Sequence, residues 1–188
     1  LPTPAMYERM RHAPLGDDGL DGDPTVRELE AAAARTLGKA AGLFVPTATM
    51  ANLLAVLAYC ARGDEAIMGT QGHTFLHEAG GVSALGGVVI HTIPNQADGT
   101  LALTDLENAL RNPEDVHEPI SKLVIIENTQ NFCGGVPIGL EYTESVAAFA
   151  RKHGLLLHLD GARIFNAAVA LGLPASKLVA PVDSITFC

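Results

Sequence analysis

The chain has 188 residues, 48% of them hydrophobic and 18% charged. That is apolar material for one substantial core, and one domain is the expectation at this length. A formal net charge of −9 argues against a broad nucleic-acid or anionic-membrane surface, so any anionic ligand must be held by a local site. No apolar run reaches the length of a membrane span, and the opening LPTPAMYERM has no signal-type apolar core. Cys60, Cys133 and Cys188 form no CxxC pair, and the chain reads as a reduced, cytoplasmic protein.

Residues 17–28, DDGLDGDPTVRE, place Asp17, Asp21, Gly22 and Glu28 at calcium-loop offsets. Gly19 at the third position, Pro24 at the eighth and the lack of an incoming helical pattern argue against calcium. Asp23-Pro24 reads as a cap followed by first-turn proline, and Thr25 with Glu28 as a capping box. Val26, Leu29, Ala33 and Leu37 then share one face of a helix over 23–38. After the short run Leu43-Phe44-Val45 and Pro46, a helix is predicted from near Thr49 to about Cys60. Strands are predicted at 65–68, 88–93, 123–127, 155–159 and 184–188. Thr104 and Glu107 form a second capping box, leading to Leu106 and Leu110. The stretch Thr143–His153 closes with Arg151, Lys152 and His153 ahead of Gly154, a helix C-terminus.

KLVIIE and LLLHLD are near-continuous apolar runs, as for strands buried on both faces. Their alternation with helices predicts a three-layer α/β fold, a mostly parallel sheet with helices on both faces. The final VDSITFC reads as a buried strand without its crossover. Residues 1–188 are therefore expected to be one domain that is incomplete at its C-terminal end, covered by a partner or continued in a longer polypeptide.

In such sheets ligands bind at the carboxyl ends of the strands. Asp160 sits at one such end and Arg163 follows one helical turn later, in LHLDGARIFNAA. Asp160 either caps a helix beginning near Gly161, with Arg163 in an ordinary salt bridge, or faces a cationic ring or metal while Arg163 binds an anion. His158 shares the strand face of Asp160 and reads as a core histidine that orients it. In VPTATMANLLA, Thr47 and Thr49 stand before a helix, where N–H groups and hydroxyls converge at a positive dipole end and can hold a phosphate, or simply cap it. There is no GxxxxGK[ST], and no GxGxxG after a strand, so a Walker-type or dinucleotide site is not expected. In GHTFLHEAGG, His73 and His77 are four apart, as zinc ligands could be, but the HExxH order and a third ligand are missing. They read as surface or stacking histidines, and no metal is expected. Glu127, Asn128 and Asn131 of ENTQN either line the same crevice or serve turn chemistry.

Taken in order, GDDGLDGDPTV, TMANLLA, HEAGGVSALGG, ENTQN and LHLDGARIFNAA resemble the low-specificity L-threonine aldolases. These enzymes use pyridoxal 5′-phosphate (PLP), have the aspartate-aminotransferase fold (type I) and are grouped with the β-eliminating lyases. The resemblance implies that Asp160 pairs with the pyridinium nitrogen of PLP. It implies that Thr47, Ala48 and Thr49 bind the phosphate, that His73 stacks on the ring near the substrate β-hydroxyl, and that Arg163 reaches the ring hydroxyl side and the substrate carboxylate. His73, Asp160 and Arg163 are thus the candidate catalytic residues, and the first two share the cofactor contacts with Arg163 and the phosphate turn. The implied reaction cleaves the Cα–Cβ bond of threonine, allo-threonine or a related β-hydroxy-α-amino acid into glycine and an aldehyde, with histidine or water as base. A small amino-acid substrate and a homodimer or tetramer are implied as well.

Three positions depart from the family. Ala48 replaces a glycine of the phosphate turn, Leu20 a tyrosine, and Gln130 a histidine near the substrate hydroxyl. The family's cofactor-binding lysine follows the strand that DSITFC matches. Lys39, Lys122, Lys152 and Lys177 do not occupy that place, so the 188 residues are expected to be inactive alone. The alternatives are a non-catalytic homologue that binds PLP or a partner only, another PLP reaction such as β-elimination or transamination, and a generic phosphate-binding domain.

Overall fold

The computed structural model describes all 188 residues, which divide into two compact units, Leu1–Phe44 and Val45–Cys188. The first unit holds helices α1 (Pro4–Arg11) and α2 (Pro24–Leu37). The Thr3 hydroxyl caps α1 by accepting from Met6 N at 3.3 Å, and Asp23 caps α2 by accepting from Thr25 N and Val26 N. The predicted Thr25–Glu28 capping box does not form. Pro24 is already helical, so Thr25 lies inside the first turn and its hydroxyl donates to Pro14 O at 2.7 Å. The acidic stretch before it is a turn whose carboxylates serve the backbone: Gly19 N donates to Asp17 and Asp23 N to Asp18.

The second unit is built on five parallel strands in the order β2-β1-β3-β4-β5. They are β1 (Glu65–Gly69), β2 (Val89–Ile93), β3 (Ser121–Glu127), β4 (Leu156–Asp160) and β5 (Ser184–Thr186). All five predicted strands are present, with ends moved by no more than two residues. The helices are α3 (Ala48–Tyr59), α4 (His73–Leu76), α5 (Gly81–Ala84), α6 (Leu103–Ala109), α7 (Leu140–Lys152), α8 (Ile164–Leu171) and α9 (Ala175–Val179). None is long and apolar enough to cross a membrane.

Side chains alternate across a strand, so the continuous apolar runs feed two cores. Ala66, Met68, Leu123 and Ile125 pack with Val56 of α3, Cys60 just after it and Val82 of α5. Their alternates Ile67, Val124, Ile126, Leu157 and Leu159 are equally buried on the opposite face, where α6 packs on β2 and α7 on β4. Helix α3 begins at Ala48, beside the predicted start near Thr49, and Thr47 caps it. Two other helix starts differ from the predicted ones. The Thr104 capping box is absent, because α6 already starts at Leu103 with no side-chain cap. Helix α7 starts at Leu140 after Gly139, and the Thr143 hydroxyl donates back to Gly139 O, an interior threonine rather than a first one.

Candidate active site

The carboxyl ends of β1, β3 and β4 form one edge of the sheet, and β3–β4 pairing sets Glu127 beside Asp160. Asp160 is buried. Its Oδ2 accepts from Asn52 Nδ2 at 2.9 Å and its Oδ1 from Ala162 N at 3.2 Å. It does not cap a helix, since α8 begins only at Ile164 with Arg163 as its N-cap residue. Gly161 between them has to be small. A Cβ there would lie 2.9 Å from Thr186 O and 2.6 Å from Ile185 Cδ1, because Gly161 N donates to that same carbonyl. The glycine of LDGAR therefore lets β5 pass close beneath the aspartate.

Asn52 organises the interior. One face of α3 carries Asn52 and Val56, both fully buried. The Asn52 amide nitrogen donates to Asp160 and also to Glu78 Oε1 at 2.7 Å. Two carboxylates demand the NH₂ end, so its oxygen faces His158 Nε2 at 3.1 Å. Burial pushes the His158 pKa down to about 4, and the neutral ring donates from Nε2 and accepts from the Ser184 hydroxyl at Nδ1, 2.7 Å away. His158 thus orients the aspartate as expected, but through Asn52.

Above Asp160 stands His73, the first residue of α4, with a side chain 40% exposed. Its backbone N–H donates to Glu127 Oε2 at 3.0 Å, and its Nδ1 lies 3.0 Å from Glu78 Oε1. His73, Glu78 and Asp160 bring one ligand atom each within 4.8 Å of one another. A cation there would face the two hydrogens of Asn52, which engage one oxygen of each carboxylate. Burial raises the pKa of Glu78 and of Glu127, and Glu78 Oε2 is buried with no partner.

The phosphate candidates lie at the open start of α3. Thr47 and Thr49 are exposed and Ala48 half-buried. The Thr47 hydroxyl oxygen accepts from Met50 N and keeps its own hydrogen to donate, so a phosphate would be met by the free N–H groups of the first turn and the Thr47 and Thr49 hydroxyls. Asn52, which holds Asp160, is one turn further on, about 6 Å along the axis from Ala48. The guanidinium of Arg163 is exposed and makes no salt bridge within the chain.

Gln130 lines the same cavity as His73, Glu127 and Asp160, but its amide is engaged by the chain. It is buried, its amide nitrogen donates to Gln71 O at 2.8 Å, and its oxygen accepts from Cys133 N at 2.7 Å. Asn128 binds both N–H and C=O of Ile138, and Asn131 O accepts from Gly134 N and Gly135 N, so both serve turn chemistry. His77 stacks on Phe132 with centroids 5.1 Å apart. Asn52 and Glu78 were missed from the sequence. The available signal was a lone amide on the apolar face of MANLLAVLAY, which requires a buried polar partner.

A buried carboxylate at a strand end, a half-exposed imidazole beside it and an open helix N-terminus define an α/β domain fitted to a ring that is cationic at one edge and phosphorylated at another. The beta-eliminating lyase family model matches residues 1–188, and the chain belongs to that family, whose cofactor is PLP. It is 46% identical to low-specificity L-threonine aldolase 1 of Arabidopsis thaliana, covering 100% of this chain and 53% of that one. It is 44% identical to the low specificity L-threonine aldolase of Escherichia coli K12, covering 100% and 55%. The solved threonine aldolase of Leishmania major superposes with a TM-score of 0.79 at 27% identity, over 96% of this chain and 53% of that one. The chain spans about half the length of the curated relatives it matches. Asp160, His73 and the start of α3 offer the kinds of group that PLP needs: a buried carboxylate, an imidazole and N–H donors.

Proposed function

We propose that this chain is the cofactor domain of a PLP-dependent aldolase that cleaves L-threonine, L-allo-threonine or related β-hydroxy-α-amino acids into glycine and an aldehyde. The observation that carries the reading is Asp160, a buried carboxylate held by Asn52 and Ala162 directly beside His73. When bound, PLP supplies a sink for the electron pair left on Cα as the Cα–Cβ bond breaks. Asp160 pairs with the ring nitrogen and keeps its proton there. Thr47, Ala48 and Thr49 hold the phosphate at the start of α3, where the helix dipole favours an anion. His73 covers the ring face, and its Nε2, which has no partner in the chain, is placed for the substrate hydroxyl. Arg163, exposed and unpaired, receives the substrate carboxylate. Gln130 takes no part in proton transfer, because both ends of its amide are engaged.

None of Lys39, Lys122, Lys152 and Lys177 lies at the carboxyl end of a strand: Lys122 opens β3, Lys152 ends α7, Lys177 is in α9 and Lys39 follows α2. The amine that holds PLP covalently therefore comes from outside these residues, and the 188 residues alone do not turn over. Assembly as a homodimer or tetramer in the cytoplasm, consuming threonine and supplying glycine, belongs to the same reading. The test is product analysis of the full-length gene product with PLP and L-threonine. Glycine and acetaldehyde in equal amounts are expected; 2-oxobutyrate and ammonia would assign the site to elimination instead.

A further inference from the structure

Glu78 belongs to no strand or helix. It follows α4, yet its side chain turns into the core and is 4% exposed. One oxygen, Oε1, meets two groups: Asn52 Nδ2 at 2.7 Å and His73 Nδ1 at 3.0 Å. The other, Oε2, is buried without a partner. A carboxylate in such a place is costly unless it shares a proton. Of the two groups that Oε1 meets, only His73 can share one, since the NH₂ of Asn52 can only donate.

We propose that Glu78 is the positioning residue that clamps the Nδ1 edge of His73, so that this imidazole gains and loses protons only at Nε2. The inference rests on the reading of His73 as the residue facing cofactor and substrate, and it adds to that reading the group that sets its chemistry. With Glu78 as the carboxylate, the hydrogen of this contact sits on Nδ1 and Oε1 accepts it. The open nitrogen is then Nε2, whose ring is 40% exposed. A free imidazole would be at liberty to turn over and to place its hydrogen on either nitrogen. Here the 3.0 Å contact of Nδ1 with Glu78 Oε1 opposes both, and the backbone N–H of the same residue, fixed to Glu127 at 3.0 Å, holds the main chain that carries the ring. Asn52 completes the device: it holds Glu78 with one hydrogen and Asp160 with the other. The ring-pairing carboxylate and the histidine clamp therefore share one anchor. Glu78 itself is buried and touches no substrate.

The test uses the full-length protein labelled with ¹⁵N-histidine, without cofactor, in magic-angle-spinning NMR, with His73 assigned by its loss in His73→Asn. Nδ1 of His73 is expected to carry a hydrogen throughout, and only Nε2 to change with pH. In Glu78→Leu the signal should move to the Nε2–H form found in free imidazole. With PLP and L-threonine, Glu78→Leu should lose about a hundredfold in kcat, the low end for a positioned acid–base group, with KM changed less than about threefold. Glu78→Gln keeps an oxygen for Nδ1–H and should recover most of that loss. An Nδ1 of His73 without hydrogen in the wild-type protein would overturn the proposal, as would an unchanged kcat in Glu78→Leu. The wild-type spectrum decides even where Glu78→Leu does not fold. Absence of any PLP-dependent product in the wild type would instead sink the aldolase reading and leave the NMR result standing on its own.

Discussion

Replacing Asp160 by alanine is expected to reduce kcat of the full-length, PLP-loaded protein by about a thousandfold. Two opposite charges about 4 Å apart in a partly screened site interact by about 4 kcal/mol, and each ~1.4 kcal/mol is tenfold in rate. Asp160 is suited to deliver all of that difference. It is buried, so water screens it little, and its two oxygens are aimed by Asn52 and Ala162 rather than left to rotate. Asp160→Asn keeps the shape and loses the charge, and should fall nearly as far. The measurement is glycine release under saturating L-threonine, alongside the visible absorbance of bound cofactor. A loss smaller than about tenfold in Asp160→Asn would mean that the carboxylate does not pair with the ring.

The second large effect is on stability. Asn52→Ala removes the shared donor of Asp160 and Glu78 and the acceptor of His158 in one step. Breaking a buried charged network by deleting one member costs roughly 3–5 kcal/mol. For a chain of this size that corresponds to about 10 °C in Tm, read by calorimetry on the cofactor-free protein. Asn52→Asp should be at least as damaging, because it sets a third carboxylate against two. A Tm within about 2 °C of wild type in both variants would show that the amide is not the anchor.

What could be read from the sequence follows from how local the cause is. The five strands are legible because a strand buried on both faces is continuously apolar, and Asp160 because it ends such a run. The helix starts were harder. Thr25 and Thr104 satisfy the capping-box pattern, but Asp23 with Pro24 starts one helix earlier and Leu103 begins the other without any cap. The four-residue helices α4 and α5 are too short for a periodic pattern. Strand β5 ends at Thr186, two residues before the predicted end, and the Phe187 ring packs edge-on against Phe165 of α8. Residues 47–49, 73, 160 and 163 stand out as candidates because each lies at an element end within a recognisable run. Asn52 and Glu78 could not. Their meaning depends on partners 26 and 108 positions apart along the chain, and no window of sequence contains them together. The same holds for Gln130, whose amide is consumed by Gln71 and Cys133.

The most direct measurement of the central claim, that the Asp160 edge is a PLP site, is mass analysis of the full-length gene product after PLP loading and borohydride reduction. One pyridoxyl group per chain, on a lysine other than Lys39, Lys122, Lys152 and Lys177 and lost together with visible absorbance in Asp160→Ala, is the predicted result. No adduct, or an adduct on one of those four lysines, would contradict it.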